Sequence, residues 1–316
     1  MESRKGRGRG KKKRRFLKWF LLVFFILVAA AAAYSIVQYY QGLSEASDGK
    51  YRDDGETFGK FNGKEPQFGE ITTLLIGNDA REGEHGRSDT LMIGYYNQKT
   101  KQTKLVSIMR DVYVDVPGHG KQKINAAFSM GGPELLRQTI KENFDIDINY
   151  YAVVDFNGFP KLIDLLAPNG IEVDIPEKMS YGIGMTLHPG KQVLHGKEIL
   201  GYVRFRHDRQ SDFGRVERQQ EVLSKVKDEA VQVQNVMKLP KLLGMTDPYV
   251  DTNLGNGTIF TIGKGLISGG TSGMETLRIP VEGSFHDERN EAGAVLSIDL
   301  DANRQALKQF LSDGSK

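Results

Sequence analysis

The chain has 316 residues, 39% hydrophobic and 26% charged, with no cysteine and a formal net charge of +3. Absence of cysteine excludes disulfides and thiolate metal sites. The charge is split: residues 1–18 carry ten Lys/Arg and one Glu, which leaves 33 Lys/Arg against 39 Asp/Glu, net −6, in the remainder; an acidic body of this kind argues against nucleic acid as a partner.

Nine of the first fifteen residues are Lys or Arg. The apolar run 16–37 follows, with Lys18 its only charged residue. About 20 apolar residues cross a bilayer as a helix. Trp19 stands near one end and Tyr34, Tyr39 and Tyr40 near the other, as interfacial anchors do. The Lys/Arg cluster before the run keeps the N-terminus in the cytoplasm and sends the rest outside. The alanines offer cleavage sites, but the run exceeds the ~7–15 residues of a leader's apolar region, so an uncleaved signal-anchor is expected. The expected organisation is a basic cytoplasmic tail at 1–15, lying against anionic lipid head groups, a membrane helix at 16–37 and a flexible extracellular stalk at 38–69. The stalk is read from its polar, Gly-rich composition. Residues 70–316 are then long enough for one large domain.

Short apolar runs at 72–77, 89–96 and 104–109 predict buried strands, and 112–116 alternates as another. Helical spacing covers 133–143, with Pro133 at its start. A strand at 150–155, a helix at 156–166 and a strand at 171–175 come next. Residues 195–200 read as a short helix, 201–206 (GYVRFR) as an alternating strand, and 212–236 as a long helix. Residues 238–275 give no assignment. Strand character returns at 278–281 and 295–298, and 302–311 closes as a helix. Interleaved strands and helices give the α/β class.

Four places carry chemistry. Asp79 ends one buried strand and Asp89 begins the next, so a hairpin would place both carboxylates at one end of the sheet. Such a pair suits Mg²⁺, which takes one or two carboxylates plus phosphate and water; a solvated turn explains the same residues. Arg110-Asp111 leaves a strand, where the arginine serves as a phosphate clamp or the pair is structural. Lys123 and Asn125 precede a helical stretch, and a solvated face is the plain reading. Arg204, Arg206, Arg215, Arg218 and Gln219 surround the start of the helix that Asp212 caps. Cations are disfavoured at a helix N-terminus, so their convergence implies an anion, and arginine favours bidentate phosphate contact. Ion pairs to Glu217 and Glu221 are the alternative. No Gly-x-Ser-x-Gly, His-Glu-x-x-His or Walker loop is present. His207 has no ligand spacing and is read as supporting its arginine neighbours.

The stretches LLIGNDAR…RSDTLMI, VSIMRDVYV, KINAAFSMGG, YYAVVDFNGF to IEVDIP, and YVRFRHDRQSDFGRVERQQ occur in order between about residues 70 and 235. In these the sequence resembles the LytR–CpsA–Psr family of cell-wall glycopolymer ligases. The resemblance implies an α/β/α sandwich with a mixed central sheet around an apolar channel for a polyprenyl chain. It also implies transfer of a glycopolymer (wall teichoic acid or capsule type) from a polyprenyl pyrophosphate carrier to the C6 hydroxyl of peptidoglycan N-acetylmuramic acid. By position, Asp79 and Asp89 match the family's Mg²⁺ carboxylates, with Mn²⁺ as a substitute ion. Arg87, Arg110, Lys123, Arg204, Arg206, Arg215 and Gln219 match its pyrophosphate contacts, and Arg81 and Arg218 extend the set. Asp79, Arg110, Arg204 and Arg206 are the expected catalytic residues. For the proton of the attacking hydroxyl, Asp79 is the first candidate and Asp208 a weaker one. Met109 departs from the proline common there, and Ile199-Leu200-Gly201 from the usual Ala-Leu-x. The resemblance implies the envelope of a Gram-positive cell, with the domain outside the membrane. Two other classes stay open: a membrane-bound transcriptional attenuator, and a polyprenyl-pyrophosphate-binding protein without turnover.

Overall fold

The computed structural model describes residues 9–46, 58–79, 88–232, 239–268 and 273–312. Helix α1 (Arg9–Ala46) is a single helix. Within it, Val23–Ala46 is long and apolar enough to cross a membrane. The helix therefore continues nine residues past the expected end of the span, into what the sequence suggested was stalk. Residues 58–69 also differ from that expectation, because Phe58 and Phe61 pack on the domain core. Phe58 meets the rings of Phe128 and Tyr151, and the backbone N–H of Lys64 donates to Ile148. Aromatic residues in a polar segment are what fasten it.

Six strands form the central sheet: β1 (Glu70–Asn78), β2 (Ser88–Asn97), β3 (Thr103–Ile108), β6 (Tyr150–Asp155), β9 (Val250–Thr252) and β10 (Glu275–Ile279), in the order β10-β3-β2-β1-β6-β9. β1 runs antiparallel to β2 and parallel to β6, and β3 is parallel to β10, so the sheet is mixed as expected. Period-2 alternation sorts its side chains. Leu74, Ile76, Leu91, Ile93 and Val153 face α2 (Ile124–Phe144) and α8 (Leu300–Ser312), where they meet Phe128, Leu136, Ile140 and Leu307. Leu75, Met92, Ala152 and Val154 face the other way, toward α3 (Gly158–Leu166), α5 (Asp212–Gln232) and α7 (Asn256–Ser268).

Two hairpins, β4 (Tyr113–Val116) with β5 (Gly120–Lys123) and β7 (Ile171–Ile175) with β8 (Gly190–Leu194), flank the sheet. The ribbon of β11 (Phe285–Asn290) and β12 (Gly293–Ile298) adds Leu296 to the core. A second core lies under β7 and β8 and includes Ile163, Ile199, Tyr202 and Val203.

α2 begins earlier than expected and bends at Gly131 and Gly132, where Gly132 takes φ 63°. The left-handed backbone suits glycine, and Pro133 then restarts the helix. The strand expected at 201–206 is instead the end of α4 (Gly196–Arg204). Ile199, Tyr202 and Val203 are buried at i, i+3 and i+4, a helical set that six alternating residues disguised. The unassigned stretch holds α6 (Leu239–Thr246), β9 and α7.

Candidate functional site

A cavity of about 670 Å³ lies between the sheet and the α3, α5 and α7 layer. Its body is apolar, with Leu75, Met92, Val154, Leu162, Leu166, Val222, Val226 and Leu266 in the wall. One end is charged and holds Asp79, Asp89, Arg204, Arg206, His207, Arg215 and Gln219.

The sheet itself creates this end. Asp79 directly follows β1. Register shifts where β1 meets β2: Gly77 pairs with Thr90 and Asn78 with Ser88, so Asp89 is the extra, bulged residue. Bulges of this type re-aim a side chain beside a site. The hairpin expected from sequence therefore brings both carboxylates to the cavity.

Asp89 accepts from Arg110 Nη1 at 2.7 Å. Arg110 also meets Asp111 through Nε at 3.3 Å and Asp212 through Nη2 at 3.3 Å. Burial would lower the Arg110 pKa, but the charges of Asp212, Asp111 and Asp89 outweigh it and hold the guanidinium above its usual value. Lys123 Nζ reaches Asp111 at 2.7 Å. Burial would raise the Asp111 carboxyl, yet the Lys123 hydrogen bond and the Arg110 charge keep it below the ordinary range. Arg110 and Lys123 thus stand behind the wall, gripping the carboxylates.

Asp212 is the hub that the sequence showed only as a helix cap. Besides Arg110 it meets Arg206 Nη1 at 3.7 Å and Arg215 Nη1 at 3.5 Å. Arg215 is 4% exposed, and its Nε has no hydrogen-bond partner among the described residues. Burial pushes its pKa down to about 10, against the pull of Asp212. A buried guanidinium with an unfilled donor beside a cavity is an incomplete anion site. Arg204 lies over the Phe156 ring at 4.4 Å, and Gln219 Nε2 donates to Thr90 Oγ1 at 2.9 Å.

Arg218 has a different place. Its guanidinium is taken by Asp208 at 2.6 Å and by the carbonyls of Tyr202 and Phe205, so it ties α4 to α5 outside the cavity wall. Asp208 also accepts from the backbone N–H groups of Gln210 and Ser211. Arg81 and Arg87 lie outside the described residues. Thr90 and Tyr181 join the wall without having been expected. Tyr181 stacks on His207 at 4.1 Å between centroids, a contact made across a loop that carries no local pattern.

The donor set fits a magnesium ion only in part. Two carboxylates reach the cavity, and Asp79 has no ion pair among the described residues. No group of three or more His, Asp or Glu that could hold a metal occurs among those residues. Such an ion would complete its shell from phosphate and water, which is the habit of Mg²⁺.

The LytR_cpsA_psr family model matches residues 34–309. The regulatory protein MsrR of Staphylococcus aureus (strain COL) is 42% identical over 281 residues, covering 89% of this chain and 85% of that protein. The polyisoprenyl-teichoic acid–peptidoglycan teichoic acid transferase TagU of Oceanobacillus iheyensis is 36% identical over 191 residues, 58% of this chain and 59% of TagU. Among solved structures, Bacillus subtilis YwtF (TagT) with bound octaprenyl pyrophosphate lipid superposes with a TM-score of 0.58 at 27% identity, covering 79% of this chain and 92% of that one. With the family model spanning most of its length and a mixed-sheet fold in common, this chain belongs to the LytR–CpsA–Psr family.

Proposed function

We propose that the chain is a phosphotransferase. It moves a polyprenyl-pyrophosphate-linked anionic glycopolymer, of wall teichoic acid or capsule type, onto the C6 hydroxyl of peptidoglycan N-acetylmuramic acid and releases polyprenyl phosphate. The observation that carries this reading is one cavity with an apolar body and a cationic end. An isoprenoid tail fills the first and a pyrophosphate the second. The names of TagU and of lipid-bound TagT support it from relatives.

The charge count supports the same ligand. Five cations, Arg110, Lys123, Arg204, Arg206 and Arg215, stand with four carboxylates, Asp79, Asp89, Asp111 and Asp212, in and behind the wall of the charged end, an excess of one positive charge that a divalent cation would raise to three. A pyrophosphate diester, with two negative charges, would offset most of that excess. The hydroxyl oxygen bonds to the phosphorus beside the glycopolymer, the P–O bond to the bridging oxygen breaks, and its electron pair leaves with polyprenyl phosphate. Arg204, Arg206 and Arg215 hold the phosphate oxygens, and Arg110 orients Asp89 and Asp212. Pre-set cations of this kind stabilise charge as it develops, without reorganisation. Magnesium held by Asp79 and Asp89 would supply Lewis-acid neutralisation of the phosphates. The hydroxyl proton goes to the Asp79 oxygen that would be left free of the metal, because Asp208 is committed to Arg218. The domain works outside the cell, anchored by α1 with its basic end in the cytoplasm.

MsrR is named a regulatory protein. In this chain the acidic body argues against DNA as a ligand, so any regulation runs through the envelope.

Arg110→Ala and the double change Asp79→Asn with Asp89→Asn test the assignment. Both are expected to bind the carrier and to lose transfer by about 10²–10³-fold. Transfer at the parent rate in Arg110→Ala would contradict its role in orienting Asp89 and Asp212, and DNA binding by the isolated domain would favour the regulatory reading.

A further inference from the structure

The carboxyl end of α1 is built into the domain. A Cβ on Gly42 would lie 2.0 Å from the carbonyl oxygen of Lys241 in α6, and one on Gly244 would lie 2.0 Å from the carbonyl oxygen of Tyr39. Both obstacles are backbone, so this crossing admits glycine and little else. Lys241 Nζ meets Glu45 at 2.7 Å, and the Tyr249 hydroxyl donates to the Ala46 carbonyl at 2.7 Å.

These contacts continue to the site. Tyr249 packs against Gly158, where an added Cβ would lie 3.1 Å from the Tyr249 carbonyl oxygen. The Gly158 N–H donates to Asp155 at 2.6 Å. Asp155 is the register partner of Asn78, the residue before Asp79. The membrane helix thus docks at the end of the sheet that carries the charged residues. Val23–Ala46 has 24 residues. At ~1.5 Å per residue it runs ~36 Å, which exceeds a ~30 Å hydrocarbon core and puts its last turn among the head groups. That last turn is the one α6 grips.

We propose that the Gly42–Gly244 crossing locks the membrane helix to the domain and sets the height of the charged end of the cavity above the bilayer. Gly42 and Gly244 are then positioning residues for a carrier whose tail must pass from the same bilayer into the cavity. The functional arm of this inference rests on the transferase reading; the structural arm does not.

The test uses the full chain in phosphatidylglycerol vesicles. A carbodiimide activates the Glu45 carboxylate, the Lys241 amine displaces the activated group as a urea, and an amide forms that peptide mass spectrometry detects. The parent protein is expected to give this cross-link, and Gly42→Leu and Gly244→Leu to lose it while the domain keeps its melting temperature. Both variants should transfer from a bilayer-embedded long-chain carrier about tenfold more slowly. They should keep the parent rate with a short-chain carrier in detergent. Where leucine prevents expression, Gly42→Ala should shift both readouts in the same direction. No cross-link in the parent, or undiminished transfer from the embedded carrier in variants that have lost the cross-link, would overturn the inference. Failure of the parent to transfer from either carrier would count against the transferase reading alone, and the cross-link would still decide the junction.

Discussion

Asp212 sits where Arg110, Arg206 and Arg215 meet, at 3.3, 3.7 and 3.5 Å. Removing one carboxylate from such a cluster leaves cations uncompensated, and for partly buried groups that costs ~3–5 kcal/mol at most. Asp212→Asn keeps the shape of the side chain and removes its charge. It is expected to lower thermal stability by about 1–3 kcal/mol and transfer by about tenfold or more, read by calorimetry and single-turnover assay. An unchanged rate would remove Asp212 from the site. At this scale the sequence was informative where chemistry is local. Two aspartates at facing strand ends and arginines at a helix start are visible from spacing alone. What a side chain touches across the fold was not visible. Arg218 fits the arginine pattern yet is spent on Asp208 and two carbonyls, while Asp212, written as a cap, joins three arginines.

Elements were legible where the hydrophobic period is long and ambiguous where it is short. β1, β2, β3 and β6 follow their apolar runs, and α5 follows its helical face. The strand expected at 201–206 failed because six alternating residues also satisfy one and a half helical turns, and packing of Ile199, Tyr202 and Val203 decided between them. Residues 58–64 failed as stalk because their fastening is tertiary. Glu134 in α2 accepts from the Asn62 backbone N–H at 2.8 Å and from Arg137 Nη2 at 2.7 Å. Burial would raise its pKa, but bonds from Arg137, Asn62 and Gln138 hold it down at about 2. A depressed carboxyl contributes stability above its unfolded pKa and loses it as pH falls through its folded pKa. Glu134→Gln is therefore expected to cost about 1 kcal/mol near neutrality, after allowance for solvent screening. The difference from the parent should vanish as pH falls from about 4.5 to about 2. Denaturant melts at several pH values check this; a constant difference would place the stabilisation elsewhere.

At the scale of the molecule, one face of the sheet is packed solid by α2 and α8 and the other is left open as a cavity. The core side needs only apolar residues of suitable size. The cavity side needs apolar residues that do not meet, with its two carboxylates set at one end of β1 and β2. That difference cannot be read from alternation, which gives Leu74 and Leu75 the same apolar character on opposite faces. The anchor, the cavity and the cationic end make sense together for a substrate that is lipid at one end and polymer at the other.

The most direct test is single-turnover transfer by the full chain, mixed with a polyprenyl-pyrophosphate-linked saccharide and peptidoglycan oligomers, with Mg²⁺ or with chelator. The expected result is a phosphodiester-linked product that appears with the metal and is lost with the chelator. Tight carrier binding with no product from any acceptor would contradict the transferase account and leave the arginine cluster as a docking site.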